Sequence, residues 1–130
     1  LVGARSQAKK QIPENSICVS CIATIGKVVI TSEDSHTNQQ INSVVPHRKA
    51  FKYFLYFAFL NMNKFLHDMA SGGSATLNLN TGNFSKIEIL SPSYSVANAY
   101  YNSVDPLFQK MLANDVESKS NVDLSTPIIL

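Results

Sequence analysis

The 130 residues, 45% hydrophobic and 15% charged, are enough for one domain with one modest core and too apolar for a disordered chain. A net charge of +2 says little about partners, but residues 1–64 carry eight Lys/Arg against three Asp/Glu, and residues 65–130 carry three against six. The apolar run Phe54–Leu60 is far shorter than the roughly 18–20 residues of a membrane span, and two cysteines make no disulfide framework.

The opening stretch LVGARSQAKK has no apolar h-region, so a soluble, cytoplasmic protein is expected. The first residue is not Met, and ARSQAKKQIPENS reads as the interior of a longer protein. Ile17, Val19 and Cys21 then alternate with Cys18 and Ser20, and Lys27–Val28–Val29–Ile30–Thr31 is β-branched. This pattern predicts two short strands around a turn at Thr24–Gly26. TSEDSHTN is turn chemistry, and QQINSVVP is a third strand closed by Pro46.

The period then changes. Phe51, Phe54, Leu55, Ala58, Met62, Phe65, Leu66 and Met69 lie on one stripe of a helix over 51–69, with Lys52, Tyr56, Asn63, Lys64 and His67 largely off it. Gly72–Gly73 supplies the stop. Gly82–Asn83 marks a turn, and Phe84, Ile87 and Ile89 predict a strand over 84–90, ended by Ser91–Pro92. From Ser95 the residues Ala97, Tyr100, Val104, Leu107 and Met111 recur at heptad-like spacing, the seam a helix uses against another helix. Pro106 implies either a kink or a restart with Asp105 as cap and Pro106 at the first helical position. The tail SNVDLSTPIIL has no clear period.

The candidate chemical constellations are weak. Cys18 and Cys21 could be half of a zinc site, completed by His36 and His47. Ten residues separate those histidines, against roughly three to five in a finger, and strand positions three apart face opposite sides. Buried or half-buried strand cysteines fit better. His36, His47 and His67 lie in different elements, and neither a nucleophile elbow nor an H-E-x-x-H helix is present. The loop MASGGSATLNLNTGNF lacks the lysine of a P-loop and follows a helix, not the strand a dinucleotide turn needs. Its small hydroxyl and amide residues would let a backbone approach phosphates or base edges closely.

In order, the pieces Ile12–Pro13, Thr24–Ile25–Gly26, Asn38–Gln39–Gln40, the 51–69 helix, Gly73–Ser74–Ala75 and Ile87–Pro92 make a series over roughly residues 6–117. Together with NSVDPLFQKMLANDVES, this series resembles the specificity subunit of type I restriction–modification systems, in particular the latter part of one target recognition domain running into a spacer helix. The resemblance implies an α+β fold: a curved mixed or antiparallel, half-barrel-like sheet packed with helices and followed by a long C-terminal helix. It divides the chain into a partial recognition domain over 1–92, a spacer or coiled-coil-type helix over 93–118 and a tail over 119–130. It also implies a non-catalytic subunit that reads half of a bipartite double-stranded DNA site and directs methyltransferase and restriction subunits to it. It needs no cofactor of its own, since S-adenosylmethionine and ATP belong to the partners.

Lys9, Lys10, Lys27, Arg48, Lys49, Lys52 and Lys64 are the candidates for phosphates, and Ser74, Thr76, Asn78 and Asn80 for base edges. Arg48 is the best candidate for a guanine, with Lys52 weakening all sequences alike when removed. Asn38, Gln39 and Gln40 either read adenines or satisfy backbone groups. The alternative is a protein-interaction module working through the 95–117 helix, with Ala97, Tyr100, Val104, Leu107 and Met111 against a partner helix.

Overall fold

The computed structural model describes residues 4–7, 11–22, 24–37, 41–70, 78–118 and 128–129. Its main sheet has five strands: β1 (Ala4–Gln7), β3 (Ile17–Ile22), β4 (Thr24–Ile30), β6 (Ile41–Pro46) and β7 (Ile128–Ile129), in the order β1-β6-β3-β4-β7. A separate pair joins β2 (Gln11–Ile12) to β5 (Ser35–His36). Every one of these pairings is antiparallel.

β3 lies at the centre, with β4 on one side and β6 on the other. Ile17, Cys18, Val19 and Cys21 are all buried, so this strand is apolar on both faces. Between β3 and β4 the register shifts, so that Gly26 and Lys27 stand opposite Ser20. Gly26 takes φ +86 there, and Ser20 Oγ accepts the Lys27 amide at 3.0 Å. The expected turn at Thr24–Gly26 is therefore strand. The left-handed glycine is used as a bulge, where one extra residue must be absorbed.

The predicted 51–69 helix is three pieces: a 3-10 turn (Lys49–Phe51), α1 (Lys52–Asn61) and α2 (Asn63–Ala70). Met62 separates the last two, its amide bonding Phe59 carbonyl at 3.1 Å. α1 packs on the sheet and also under α4 (Tyr94–Ser118), so it is buried on more than one side. Hence Tyr56, placed off the apolar stripe by periodicity, is 0% exposed; Phe65, on the stripe but in α2 beyond the Met62 break, is 51% exposed. A helix covered on two sides carries apolar residues nearly all round.

The strand expected over 84–90 is a short helix, α3 (Thr81–Ser85), followed by residues outside any strand. Asn80 caps α3, its Oδ1 accepting the Asn83 amide at 2.7 Å. Phe84 and Ile87 are both buried, three residues apart, which a strand would send to opposite faces. Phe84 stacks on Phe59, ring centroids 5.5 Å apart. α4 begins where Ser93 Oγ accepts the Val96 amide, and it runs through Pro106 as one helix. There is no restart at Asp105. Among the described residues no helix is long and apolar enough to cross a membrane.

Candidate nucleic-acid interface

Four segments meet at the turn end of the β3–β4 hairpin. Asn63, at the start of α2, donates through Nδ2 to the carbonyls of Ile25 and Gly26, each at 3.4 Å. Lys27 and Lys64, one residue along from this contact on either side, are both exposed. On the β3 side the Leu79 amide bonds Cys21 carbonyl at 2.8 Å, and Ile22 and Asn78 form an isolated bridge. The Asn78 amide also reaches the last residue of α2, Ala70, at 3.5 Å. Residues 78–80 are thus fastened beside the hairpin end, with the side chains of Asn78 and Asn80 exposed. Asn80 commits its oxygen to the α3 cap, so its amide nitrogen is the group a ligand would meet.

Beneath this segment lies Asn42 of β6, buried. Its Nδ2 donates to Leu79 carbonyl at 2.9 Å and to Cys21 Sγ at 3.0 Å, and its Oδ1 accepts from Thr81 Oγ1 at 2.8 Å. A polar residue inside an apolar strand reads as an exposed position, so periodicity alone passes over it. Its one sequence signal is an amide followed by Ser43–Val44–Val45.

Arg48, Lys49 and Lys52 form a second basic group at the other end of α1, a ten-residue helix about 15 Å long. They face the aromatic side of α4. The Arg48 guanidinium lies 4.5 Å from the Tyr94 ring centre, and Lys49 Nζ lies 5.8 Å from that of Tyr101. Lys52 Nζ sits 4.6 Å from Tyr53 and donates to Asn15 Oδ1 at 2.8 Å. At 5% exposure Lys52 is covered, which corrects its assignment to a phosphate-facing surface: α4 closes over α1 at this point. Burial lowers its pKa, opposed by the charges of Asp105 and Glu14. Arg48 and Lys49 remain exposed.

A family model described as "Type I restriction modification DNA specificity domain" matches residues 2–108. The chain belongs to that family. It is 53% identical over 121 residues to the type I restriction enzyme HindI specificity subunit of Haemophilus influenzae, a match covering 92% of this chain and 26% of that protein. The chain therefore spans about a quarter of the length of this relative. Its fold is similar to that of the S subunit of a type I restriction–modification system from M. genitalium, with TM-score 0.59 and 17% identity, over 78% of this chain and 28% of that one.

In this specificity-domain chain the α4 seam divides. Ala97 is 1% exposed and packs into the domain's own core, and Val104 is partly buried against the same core. This corrects both as surfaces for a second helix, because α1 and the 3-10 turn already cover that side. Tyr100, Leu107 and Met111 remain exposed, Leu107 at 62%. Asp105 faces inward: it accepts from Tyr53 Oη at 2.5 Å and from Gln109 Nε2 at 3.3 Å. Partial burial pushes its carboxyl up, but the bonds from Tyr53 and Gln109 and the Lys52 charge outweigh that and hold it below the usual carboxylate range.

Cys18 and Cys21 are free and buried, with different neighbours: Ser43 Oγ lies 3.8 Å from Cys18 Sγ, and Asn42 bonds Cys21. Burial raises both thiol pKa values, against smaller opposing effects of these hydrogen bonds, so the sulfurs stay protonated. Among the described residues no three His, Cys, Asp or Glu side chains come close enough to hold a metal ion. Lys9, Lys10, Asn38, Gln39, Gln40, Gly72, Gly73, Ser74 and Thr76 lie outside the described residues.

Proposed function

We propose that this chain is a DNA-reading part of a type I specificity subunit, acting in the cytoplasm on one half of a bipartite double-stranded site. The observation that carries the reading is the hairpin end, where the exposed Lys27 and Lys64 flank a backbone contact and the exposed amides of Asn78 and Asn80 stand beside it. Cations that meet phosphates set register, and amides that meet base edges select sequence. Ser74 and Thr76, which lie outside the described residues, are further candidates for base edges by residue type alone, and Arg48 and Lys49 extend phosphate contact toward α4. Residues 1–92 form the recognition part, and residues 93–118 form the helix that carries spacing.

The chain performs no methyl transfer or cleavage itself. Its partners are methyltransferase and restriction subunits, and the exposed Tyr100, Leu107 and Met111 favour α4 as a place where a partner helix docks. The test is equilibrium binding to duplex DNA across a salt series. Log affinity should fall with log salt by about 0.9 per phosphate neutralised. Absence of any salt-dependent association, with methyltransferase subunits present as well, would leave only the docking role of α4.

A further inference from the structure

Asn42 occupies a position where the sheet itself has no use for an amide. It pairs with Val19 of the central strand and is followed by Ser43, Val44 and Val45, and asparagine is a poor strand former. Burying an amide is unfavourable unless its groups are bonded, and here both N–H donors and one carbonyl acceptor site are used. Of its three side-chain partners, two are Leu79 carbonyl and Thr81 Oγ1. Those two residues bracket Asn80, and Leu79 immediately follows Asn78. The third, Cys21 Sγ, belongs to the residue whose carbonyl holds the Leu79 amide. A single buried side chain therefore ties the end of β3 to both sides of Asn80.

We propose that Asn42 is a positioning residue for sequence discrimination: through its amide it fixes how Asn78 and Asn80 stand over the hairpin end, without touching DNA. This rests on the DNA-reading function proposed above. An amide that merely stabilised the sheet would affect all DNA sequences alike through the folded fraction. One that sets the placement of base-facing groups affects only the duplex those groups fit, and leaves the phosphate contacts of Lys27 and Lys64 in place.

The experiment uses the full chain, a random duplex pool and a duplex enriched from that pool by the unaltered protein. Affinity for both is measured across a salt series for the unaltered chain, Asn42→Ala and Thr81→Val, with the folded fraction followed by circular dichroism. The expected result for Asn42→Ala is a loss of about tenfold or more on the enriched duplex, with pool affinity and salt slope unchanged. Thr81→Val, which removes one of the three bonds at an exposed residue, should give a smaller loss of the same selective kind. A folded Asn42→Ala that keeps its preference, or that loses affinity for both duplexes in parallel, overturns the inference. Should Asn42→Ala not fold, Thr81→Val decides alone, and an unchanged preference overturns it. If the unaltered chain binds DNA with salt dependence but enriches no duplex, this inference fails while DNA binding stands. If it binds no DNA at all, the reading it rests on fails first.

Discussion

Tyr53 on α1 donates its hydroxyl to the Asp105 carboxylate on α4. The two residues are 52 positions apart in the chain, and Tyr53 is buried. Removing the carboxylate leaves that hydroxyl without its acceptor. Asp105→Ala should destabilise the fold by about 1–3 kcal/mol, read as a lower midpoint in urea melts with an unchanged slope.

The same carboxylate gives an acid limb. Its folded pKa lies below the ordinary 3.8, so the folded chain binds fewer protons than the unfolded chain in that range. The stability it contributes is full above 3.8 and is lost as pH falls through the folded value. Asp105→Asn should flatten the fall in melting temperature below pH 3.8, and an acid limb as steep as that of the unaltered chain would contradict this assignment.

Tyr56 provides the opposite case. Its hydroxyl is buried with no hydrogen-bond partner among the described residues, and burial raises its pKa. An unpaired buried hydroxyl costs about 1–3 kcal/mol of desolvation. Tyr56→Phe should therefore be neutral or stabilising by up to about 1 kcal/mol, whereas Tyr53→Phe should destabilise. Parallel thermal melts of the two variants compare one chemical change in two environments.

Gly26→Ala should cost at least about 1 kcal/mol, because φ +86 disfavours any Cβ and the new atom would lie 2.4 Å from Asn63 Nδ2. The Asn63 amide can swing away only by giving up its contacts to Ile25 and Gly26. The loss in the double variant Gly26→Ala/Asn63→Ala should therefore be smaller than the sum of the single losses, by a margin the double-mutant cycle measures directly.

On DNA, Lys27→Ala and Lys64→Ala should each reduce the salt slope by about 0.9. Lys52→Ala should leave that slope unchanged and lower the melting temperature instead, since its ammonium is spent on Asn15 and the rings of Tyr53 and Tyr101. A salt-slope change for Lys52→Ala equal to that for Lys64→Ala would place Lys52 back among the phosphate contacts.

The β-branched runs of β3, β4 and β6 and the existence of an aromatic helix were legible because their periods are strong. α3 was not, since Phe84, Ile87 and Ile89 satisfy strand alternation at one step and helical spacing at another; the Asn80 cap and the docking of Phe84 on Phe59 decide between them. β1 and β7 escaped because each is defined by its pairing, β1 with β6 and β7 with β4, and not by local composition. At the candidate site, charge named Lys27, Lys64 and Lys52 without distinction. Only the crossing of α4 over α1 separates a solvated lysine from a buried one. Asn42 shows the same limit from the other side: its partners are 21 to 39 residues away, beyond any local pattern.

Pro106 has no amide hydrogen, so the carbonyl four residues earlier loses its helical donor in mid-helix. The contacts of α4 with α1 fall on both sides of that gap: Tyr101 and Asp105 before it, and Phe108 after it, against Tyr53, Tyr56 and Phe57. The domain thereby acts as a splint across a weak joint. The direction in which the outer half of the helix points is set by aromatic side chains of α1, so a substitution deep in the core can re-aim a rod whose far end it never touches.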